Sequence, residues 1–210
     1  MSWRGRFGTE YIDRNPMAPE EMDALYVERF GVTRRDMDVD FVGTLPATAS
    51  FLEVGCNVGT QLRILRGLGY RELAGCDVNA AAIRRGRRLC AKDAPAIDLF
   101  RSDAADVKCV DSAFDVVFTS GLLIHIAPEH LPTVMAEMYR VSKRYVWGME
   151  YYAPELTEIP YRDGMGCWKG PYWRLFAETL DMRVVQTRTY PYRDGSGCAD
   201  MMYLLEKGMP

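Results

Sequence analysis

The apolar positions change period along the chain. Residues 50–54, 73–77, 97–101, 114–120 and 145–151 are short apolar runs, several of them β-branched, and they predict buried strands. The stretches between them carry a helical period. Leu62, Leu65 and Leu68 mark a helix over 61–68, a second covers 79–91, and a third runs from Pro128 in its first turn to about Val141. Strand–helix alternation of this kind predicts a doubly wound α/β fold, a mostly parallel sheet with helices on both faces. The ending differs. Residues 171–180 are helical, and 182–190 and 201–206 are β-like with a glycine-bearing link, which predicts a terminal antiparallel hairpin. Before the first strand, 19–30 presents Met22, Leu25, Tyr26 and Phe30 on one side and stops at Gly31. Residues 33–42 predict a further helix, while 1–17 shows no period. The expected organisation is one domain, with 1–45 a helical cap segment and 46–210 the α/β core.

The first strand runs straight into Gly55, Asn57 and Gly59, and a helix starts near Thr60. Strand, glycine turn, helix brings backbone N–H groups to a ligand at a helix N-terminus. The spacing is Glu53-x-Gly55-x-x-x-Gly59, not the dinucleotide pattern G-x-G-x-x-G. Asn57 stands where a middle glycine might, and Asn tolerates positive φ. Glu53, two residues before the first glycine, could hold the loop amides or a ligand ammonium group. Asp77 ends the second strand about 20 residues beyond the turn, the place where an acidic residue takes ribose hydroxyls in doubly wound folds. It could equally cap the helix that starts at Asn79. Asp103-Ala104 follows the third strand, either as a ligand contact or as an Asx turn. Ser120-Gly121 follows the fourth, at an edge that faces the ligand crevice in such sheets. His125 lies just beyond and is one of two histidines. It is either a general base or a histidine fixed by one hydrogen bond.

Composition narrows the classes. With 26 Lys plus Arg against 29 Asp plus Glu, the net charge of −3 argues against a general nucleic-acid binder. The run Arg84-Arg85-Gly86-Arg87-Arg88 reads as a solvated helix face. No apolar run is long enough to span a bilayer, no signal-peptide core is visible, and the expected location is the cytoplasm. The six cysteines have no zinc-like spacing. Cys56, Cys76 and Cys90 fall in or beside core elements and read as buried small hydrophobes. No metal constellation is evident.

The glycine turn resembles motif I of the class I S-adenosylmethionine-dependent methyltransferases. Further stretches extend the likeness: Leu123-Ile-His-Ile-x-Pro-x-His-Leu131, Tyr139-Arg-Val-Ser-Lys-Arg-Tyr145, Glu150-Tyr-Tyr-x-Pro154, Glu158-Ile-Pro-Tyr-Arg162, Leu205-Glu-Lys207, and Trp3-Arg-Gly-x-Phe-Gly-x-x-Tyr-x-x-Arg-Asn15. Together they resemble the methylases associated with pseudaminic acid biosynthesis, with a departure around Gly164 to Trp173. The resemblance implies a Rossmann-like, seven-stranded sheet with a reversed terminal strand. It implies S-adenosylmethionine as cofactor and S-adenosylhomocysteine as product. In that light Glu53, Gly55, Cys56, Asn57, Gly59, Asp77, Val78, Asp103, Ala104, Ser120 and Gly121 are expected around the cofactor, with Asp103 and the Ala104 amide at the adenine. Tyr11 and Arg14 are expected to close over it, Arg14 toward the cofactor carboxylate. His125 is the candidate base.

The acceptor is expected to be a small polar molecule, of sugar or nucleotide-sugar type, methylated on O or N. The segment Pro160-Tyr-Arg-Asp-Gly-Met-Gly-Cys167 recurs as Pro191-Tyr-Arg-Asp-Gly-Ser-Gly-Cys198. With Glu150, Tyr151 and Tyr152 at the end of the fifth strand, it places Tyr161, Arg162, Tyr192 and Arg193 as acceptor-binding candidates. Two turns using Pro, Asp and Gly for ordinary reasons is the plain alternative. The rival functions are a non-catalytic S-adenosylmethionine-binding pathway component and an NAD(P)-dependent oxidoreductase. Nothing in the residues fixes the oligomeric state.

Overall fold

The structure, a computed structural model, describes residues 3–15, 18–91 and 96–208. It divides into two compact units, Met1–Ala104 and Ala105–Pro210. Among the described residues, seven strands form one mostly parallel sheet, described below, and two form a small separate sheet.

In the first unit, helices α1 (Arg6–Asp13), α2 (Pro19–Phe30) and α3 (Arg34–Val42) precede β1 (Ser50–Val54), α4 (Thr60–Gly67), β2 (Glu72–Asp77), α5 (Ala80–Cys90) and β3 (Asp98–Arg101). The strands pair in parallel, with Glu53 opposite Gly75 and Asp77 opposite Arg101. From Phe51 to Val54 every side chain of β1 is buried, which is why the strand reads as a continuous apolar run broken only by Glu53. Helix α2 has Pro19 in its first turn and stops at Gly31, which adopts φ 81° as a left-handed cap. Helix α1 was not expected. Eight residues are too few to display a period, and it is held by Phe7 and Ile12 in the core, with Trp3 edge-on to Phe7 and Tyr11 at 5.0 and 5.2 Å. Ile12 packs with Val58 of the glycine turn and Ala82 of α5. Residues 1, 2, 16 and 17 of the expected N-terminal segment lie outside the described residues. The basic run on α5 is partly engaged: Arg85 pairs with Asp13 at 2.6 Å, and Arg87 donates to the Leu99 carbonyl at 2.8 Å.

In the second unit, β4 (Phe114–Ser120) leads through a 3-10 turn (Leu123–His125) to α6 (Leu131–Val141) and β5 (Ser142–Tyr151). Strands β6 (Thr157–Glu158) and β7 (Trp168–Lys169) form the separate two-stranded sheet, and α7 (Tyr172–Leu180), β8 (Met182–Pro191) and β9 (Ala199–Lys207) complete the chain. Helix α6 begins three residues later than Pro128 predicts. Pro132 occupies its first turn, and the amides of His130 and Leu131 both donate to the Ala127 carbonyl in the preceding turn. The β6–β7 pair was unforeseen because strands so short carry no period. Strand β5 is parallel to β4 and antiparallel to β9, and β8 is antiparallel to β9. Strands β5 and β8 therefore run the same way, and Tyr151 and Tyr190 both face Asp200 in register. Their exits lie at one end of this unit's sheet. The full strand order is β3-β2-β1-β4-β5-β9-β8, with β9 reversed. Among the described residues no helix is long and apolar enough to cross a membrane.

Candidate active site

The glycine turn of the first unit is built from three left-handed residues: Gly55 at φ 76°, Asn57 at φ 50° and Gly59 at φ 80°. Asn57 does take the conformation its side chain tolerates. The turn is tied down on both sides. The amides of Gly55 and Cys56 donate to the Cys76 carbonyl at 2.8 and 2.9 Å, and the Gly59 amide donates to Cys56. Asp77 completes it: one carboxylate oxygen accepts from the Asn57 amide at 2.9 Å, the other from the Asn79 amide at 2.8 Å. Burial raises the Asp77 carboxyl above its ordinary range, and the amides of Asn79, Asn57 and Val78 oppose that shift. Asp77 is half-buried. A carboxylate has about four lone-pair sites, so capacity remains beyond the two amides. The helix cap falls to Asn79, whose side chain accepts from Ala81 and Ala82. Cys56, Cys76 and Cys90 are buried free thiols, as their positions imply.

Glu53 is buried beside the turn, and its Oε2 atom has no hydrogen-bond partner. Burial pushes its carboxyl well above the usual range; the Arg34 charge opposes this, and Asp38 and Asp77 add to it. Arg34 is a residue that pattern reading missed. It is fully buried on α3, where its Nε pairs with buried Asp38 at 2.6 Å and an NH group donates to the Tyr26 hydroxyl at 3.1 Å. Its helical-surface spacing to Asp38 gave a signal, an i,i+4 charge pair, but nothing in the spacing says that the pair is buried. Asp103 and Ala104 are half-buried, and Asp103 forms an ion pair with Arg4. Val78 is half-buried, with its carbonyl accepting from Arg101. Tyr11 is half-buried, whereas Arg14 is exposed and stacks over the rings of Phe7 and Tyr11 at 5.4 and 5.8 Å.

The second unit builds a different kind of site. Ser120 and Gly121 close β4, with the Gly121 amide donating to the Met149 carbonyl at 2.9 Å. Glu150, expected among the acceptor contacts, is turned inward: it is 2 % exposed and accepts from the amides of Leu122 and Ile124 at 3.2 and 3.3 Å. Burial pushes its carboxyl up to about 7, against the Thr119 hydroxyl and the amides of 122–124. His125 is half-buried. Its Nδ1 lies 3.5 Å from the Gly166 carbonyl and its ring 4.9 Å from that of Tyr161. Burial lowers the imidazole to about 4, so it is neutral at physiological pH.

The two Pro-Tyr-Arg-Asp-Gly copies leave the same sheet end. The Tyr152 amide donates to Ala199, Tyr192 to Cys198, and Gly170 to Tyr151, at 2.9, 2.8 and 3.0 Å. Tyr151, Tyr152, Tyr161 and Tyr192 are half-buried, Arg162 and Arg193 exposed; the Tyr192 hydroxyl donates to Asp200 at 2.7 Å. The Asp163 side chain lies outside the described residues. A contact between Lys169 and Cys198, 2.9 Å from Nζ to Sγ, also joins the two segments and was not foreseen.

Residues 51–144 match the family model described as a methyltransferase domain. The chain carries a methyltransferase domain. A search among curated proteins finds no relative in sequence. Among solved structures, the chain is similar to an S-adenosylmethionine-dependent methyltransferase from Methanosarcina mazei, at 16 % identity and TM-score 0.67, covering 80 % of this chain and 96 % of that one. It is similar to geranyl diphosphate C-methyltransferase from Streptomyces coelicolor A3(2), at 9 % identity and TM-score 0.66, over 83 % and 77 % of the two chains. A third is a sarcosine dimethylglycine methyltransferase-like protein from Galdieria sulphuraria, at 14 % identity and TM-score 0.64, over 83 % and 84 %. The shared fold is the class I, Rossmann-like one, and the Methanosarcina mazei neighbour is S-adenosylmethionine-dependent. The first unit fits that group on its own terms: an orphaned buried acceptor at Glu53 and a half-buried carboxylate at Asp77 flank a turn whose three left-handed residues leave backbone close to a ligand.

Proposed function

We propose that the methyltransferase transfers its methyl group to an oxygen or nitrogen of a small, polar, anionic acceptor of sugar or nucleotide-sugar type. The observation that carries the acceptor class is the packing of Tyr161, from the first Pro-Tyr-Arg-Asp-Gly copy, on the His125 ring. It joins an aromatic face to a neutral imidazole, with the exposed guanidinium of Arg162 next along the chain. Arg193 follows Tyr192 in the same way on the second copy, at the same end of the sheet. Guanidinium forks suit carboxylate or phosphate, and aromatic faces suit a sugar ring. The resemblance to the pseudaminic acid-associated methylases agrees with such an acceptor, and a structural neighbour, the geranyl diphosphate C-methyltransferase, holds an anionic acceptor of another kind.

In this reading Glu53, Gly55, Cys56, Asn57, Gly59, Asp77 and Val78 hold the amino-acid and ribose parts of the cofactor, with Asp103 and Ala104 at its adenine. The bound cofactor supplies the electrophilic methyl carbon. The chain's own contribution is alignment and proton acceptance. His125, neutral and with Nδ1 facing a carbonyl, has Nε2 to accept a proton from an acceptor hydroxyl or ammonium. The test is transfer of isotopically labelled methyl into an extract of metabolites and nucleotide sugars, read by mass spectrometry. A labelled anionic sugar, absent with His125→Asn or with Asp77→Ala, supports the reading. Labelled products that are all uncharged and apolar sink the acceptor class, and cofactor binding without any labelled product favours a non-catalytic component.

A further inference from the structure

The second unit contains a buried carboxylate, Glu150, that reaches neither solvent nor any site of ligand contact. It is the residue before the last of β5, at 2 % exposure, and it spends both oxygens on the protein's own backbone, the amides of Leu122 and Ile124. Those amides bracket the start of the 3-10 turn. The turn then closes on itself, the His125 amide donating to the Leu122 carbonyl at 2.9 Å. The imidazole is thus reached from Glu150 by two hydrogen bonds and one turn. From the other side the ring meets the Gly166 carbonyl and the Tyr161 ring.

We propose that Glu150 is the positioning residue for His125, its carboxylate holding the Leu122–Ile124 amides and so fixing where the imidazole sits. The catalytic consequence rests on the reading of His125 as proton acceptor; the positioning does not.

The surroundings make this clamp sensitive to pH. The groups that face Glu150 are the Thr119 hydroxyl on β4, Tyr172 on α7, Tyr203 on β9, and Cys167 just before β7. Burial raises the Cys167 thiol to about 11 and raises both phenols, so all of these stay neutral where Glu150 titrates, near 7. The Lys169 ammonium acts on Cys167, lowering it against the effect of burial. An ionised carboxylate accepts strongly at both oxygens, whereas the protonated form keeps a weaker acceptor at the oxygen that carries the proton. Protonation therefore weakens one of the two amide bonds.

His125 and His130 are the only histidines, so carbon-labelled imidazole resonances are assigned with one variant, His130→Asn. In the wild-type protein the His125 signal should show a step near pH 7, well above the imidazole's own titration near 4. In Glu150→Gln the step should vanish, the signal should sit elsewhere at every pH, and the amides of Leu122 and Ile124 should exchange with solvent at least tenfold faster. Glu150→Asp, which keeps the charge and shortens the reach, should restore the step partly. Leu122 and Ile124 amides that exchange in the wild-type protein as fast as unbonded ones, or a folded Glu150→Gln with an unmoved His125 signal, overturns the proposal; the first of these requires no variant to fold. If Glu150→Gln moves the signal while His125→Asn turns over normally, positioning stands and the base reading falls. If both hold, Glu150→Gln lowers kcat on the order of 100-fold, as a small misplacement does, with the Michaelis constant for S-adenosylmethionine unchanged.

Discussion

Asp77 and Glu150 occupy matching places in the two units. Each lies at or next to the end of its strand, and each carboxylate accepts two backbone amides from turns next to it. They differ in exposure. Asp77 is half-buried and keeps capacity for a ligand; Glu150 is sealed and keeps none. The lesson is that an acidic residue at the ligand edge of a sheet has two separate jobs, shaping a turn and touching a ligand. Access to solvent decides whether both are done. The units also differ in how buried charge is compensated. In the first, Arg34 and Asp38 are buried together near Glu53; in the second, Glu150 has hydroxyls, a thiol and amides around it but no ion-pair partner among the described residues.

The largest effect should come from breaking the compensated pair. Asp38→Ala removes the buried carboxylate that pairs with the Arg34 guanidinium, and should cost about 3–5 kcal/mol of stability in urea unfolding. The double variant Arg34→Met with Asp38→Leu should recover most of that loss, because replacing a buried pair by apolar side chains removes both desolvation costs. A loss under about 1 kcal/mol in the single variant would mean that the pair contributes little to folding.

Glu150 supplies the contrasting test, through pH. Its folded carboxyl titrates near 7 against an ordinary 4.5, because burial disfavours the charge. Between those values the folded protein holds a proton that the unfolded chain has released, so stability is greatest below about 4.5 and falls as pH rises to 7. The full window is worth up to about 3 kcal/mol. Asp38, raised to about 6, adds a decline of the same sign at lower pH. Chemical unfolding across pH 4.5 to 8 should show a decline that is flatter in Glu150→Gln, with the difference confined to the upper part of the window. The same charge that costs global stability holds the His125 turn, and an unchanged slope in Glu150→Gln would separate the two roles.

Asp77→Ala should weaken S-adenosylmethionine binding by about 1.5–3 kcal/mol, the range for a hydrogen bond to a charged group, measured by calorimetry. Asp77→Asn should lose less, since one oxygen can still take the Asn57 amide. Glu150→Gln should leave that affinity within about twofold of wild type, because the residue has no access to a ligand. Equal losses in both variants would erase the distinction between the half-buried and the sealed carboxylate.

The parts of the fold carried by repeated apolar patterns were legible in the sequence: the alternating strands and helices, the glycine turn with Asn57 at positive φ, and the reversed strand β9. What pattern could not show was direction of side chains and burial of charge. Glu150 follows an apolar strand and precedes two tyrosines, so it reads as a residue facing the crevice; only the three-dimensional register turns it onto Leu122 and Ile124. Arg34 and Asp38 look like a surface pair, since nothing local says that α3 packs both out of solvent. Asp103 pairs with Arg4, a partner remote in sequence that no local pattern announces. Short elements were lost for a related reason: α1 and the β6–β7 pair have too few residues for periodicity to rise above composition.

The smallest expected effect concerns Cys198, a thiol of the second unit that accepts from a lysine. Cys198 is half-exposed, and the Lys169 ammonium, with help from Ser196, lowers its thiol below the ordinary range. Cys56, Cys76, Cys90 and Cys167 are buried, and burial raises Cys56 and Cys167 in the opposite direction. A thiolate is the species that alkylates, so iodoacetamide at neutral pH should label Cys198 first, as read by peptide mass spectrometry. Lys169→Met should slow that labelling several-fold and move its pH midpoint upward, while leaving Cys109, the other half-exposed thiol, unchanged. Here a cation stands next to an exposed anion, the reverse of the arrangement at Glu150, where a buried anion has only neutral neighbours. Solvent screening should therefore keep the Lys169 effect small. If Lys169→Met instead changed the rate a hundredfold, the Lys169–Cys198 contact would have to be dry in solution, and the two segments that carry the repeated Pro-Tyr-Arg-Asp-Gly sequence would be held together far more firmly than a half-exposed ion pair allows.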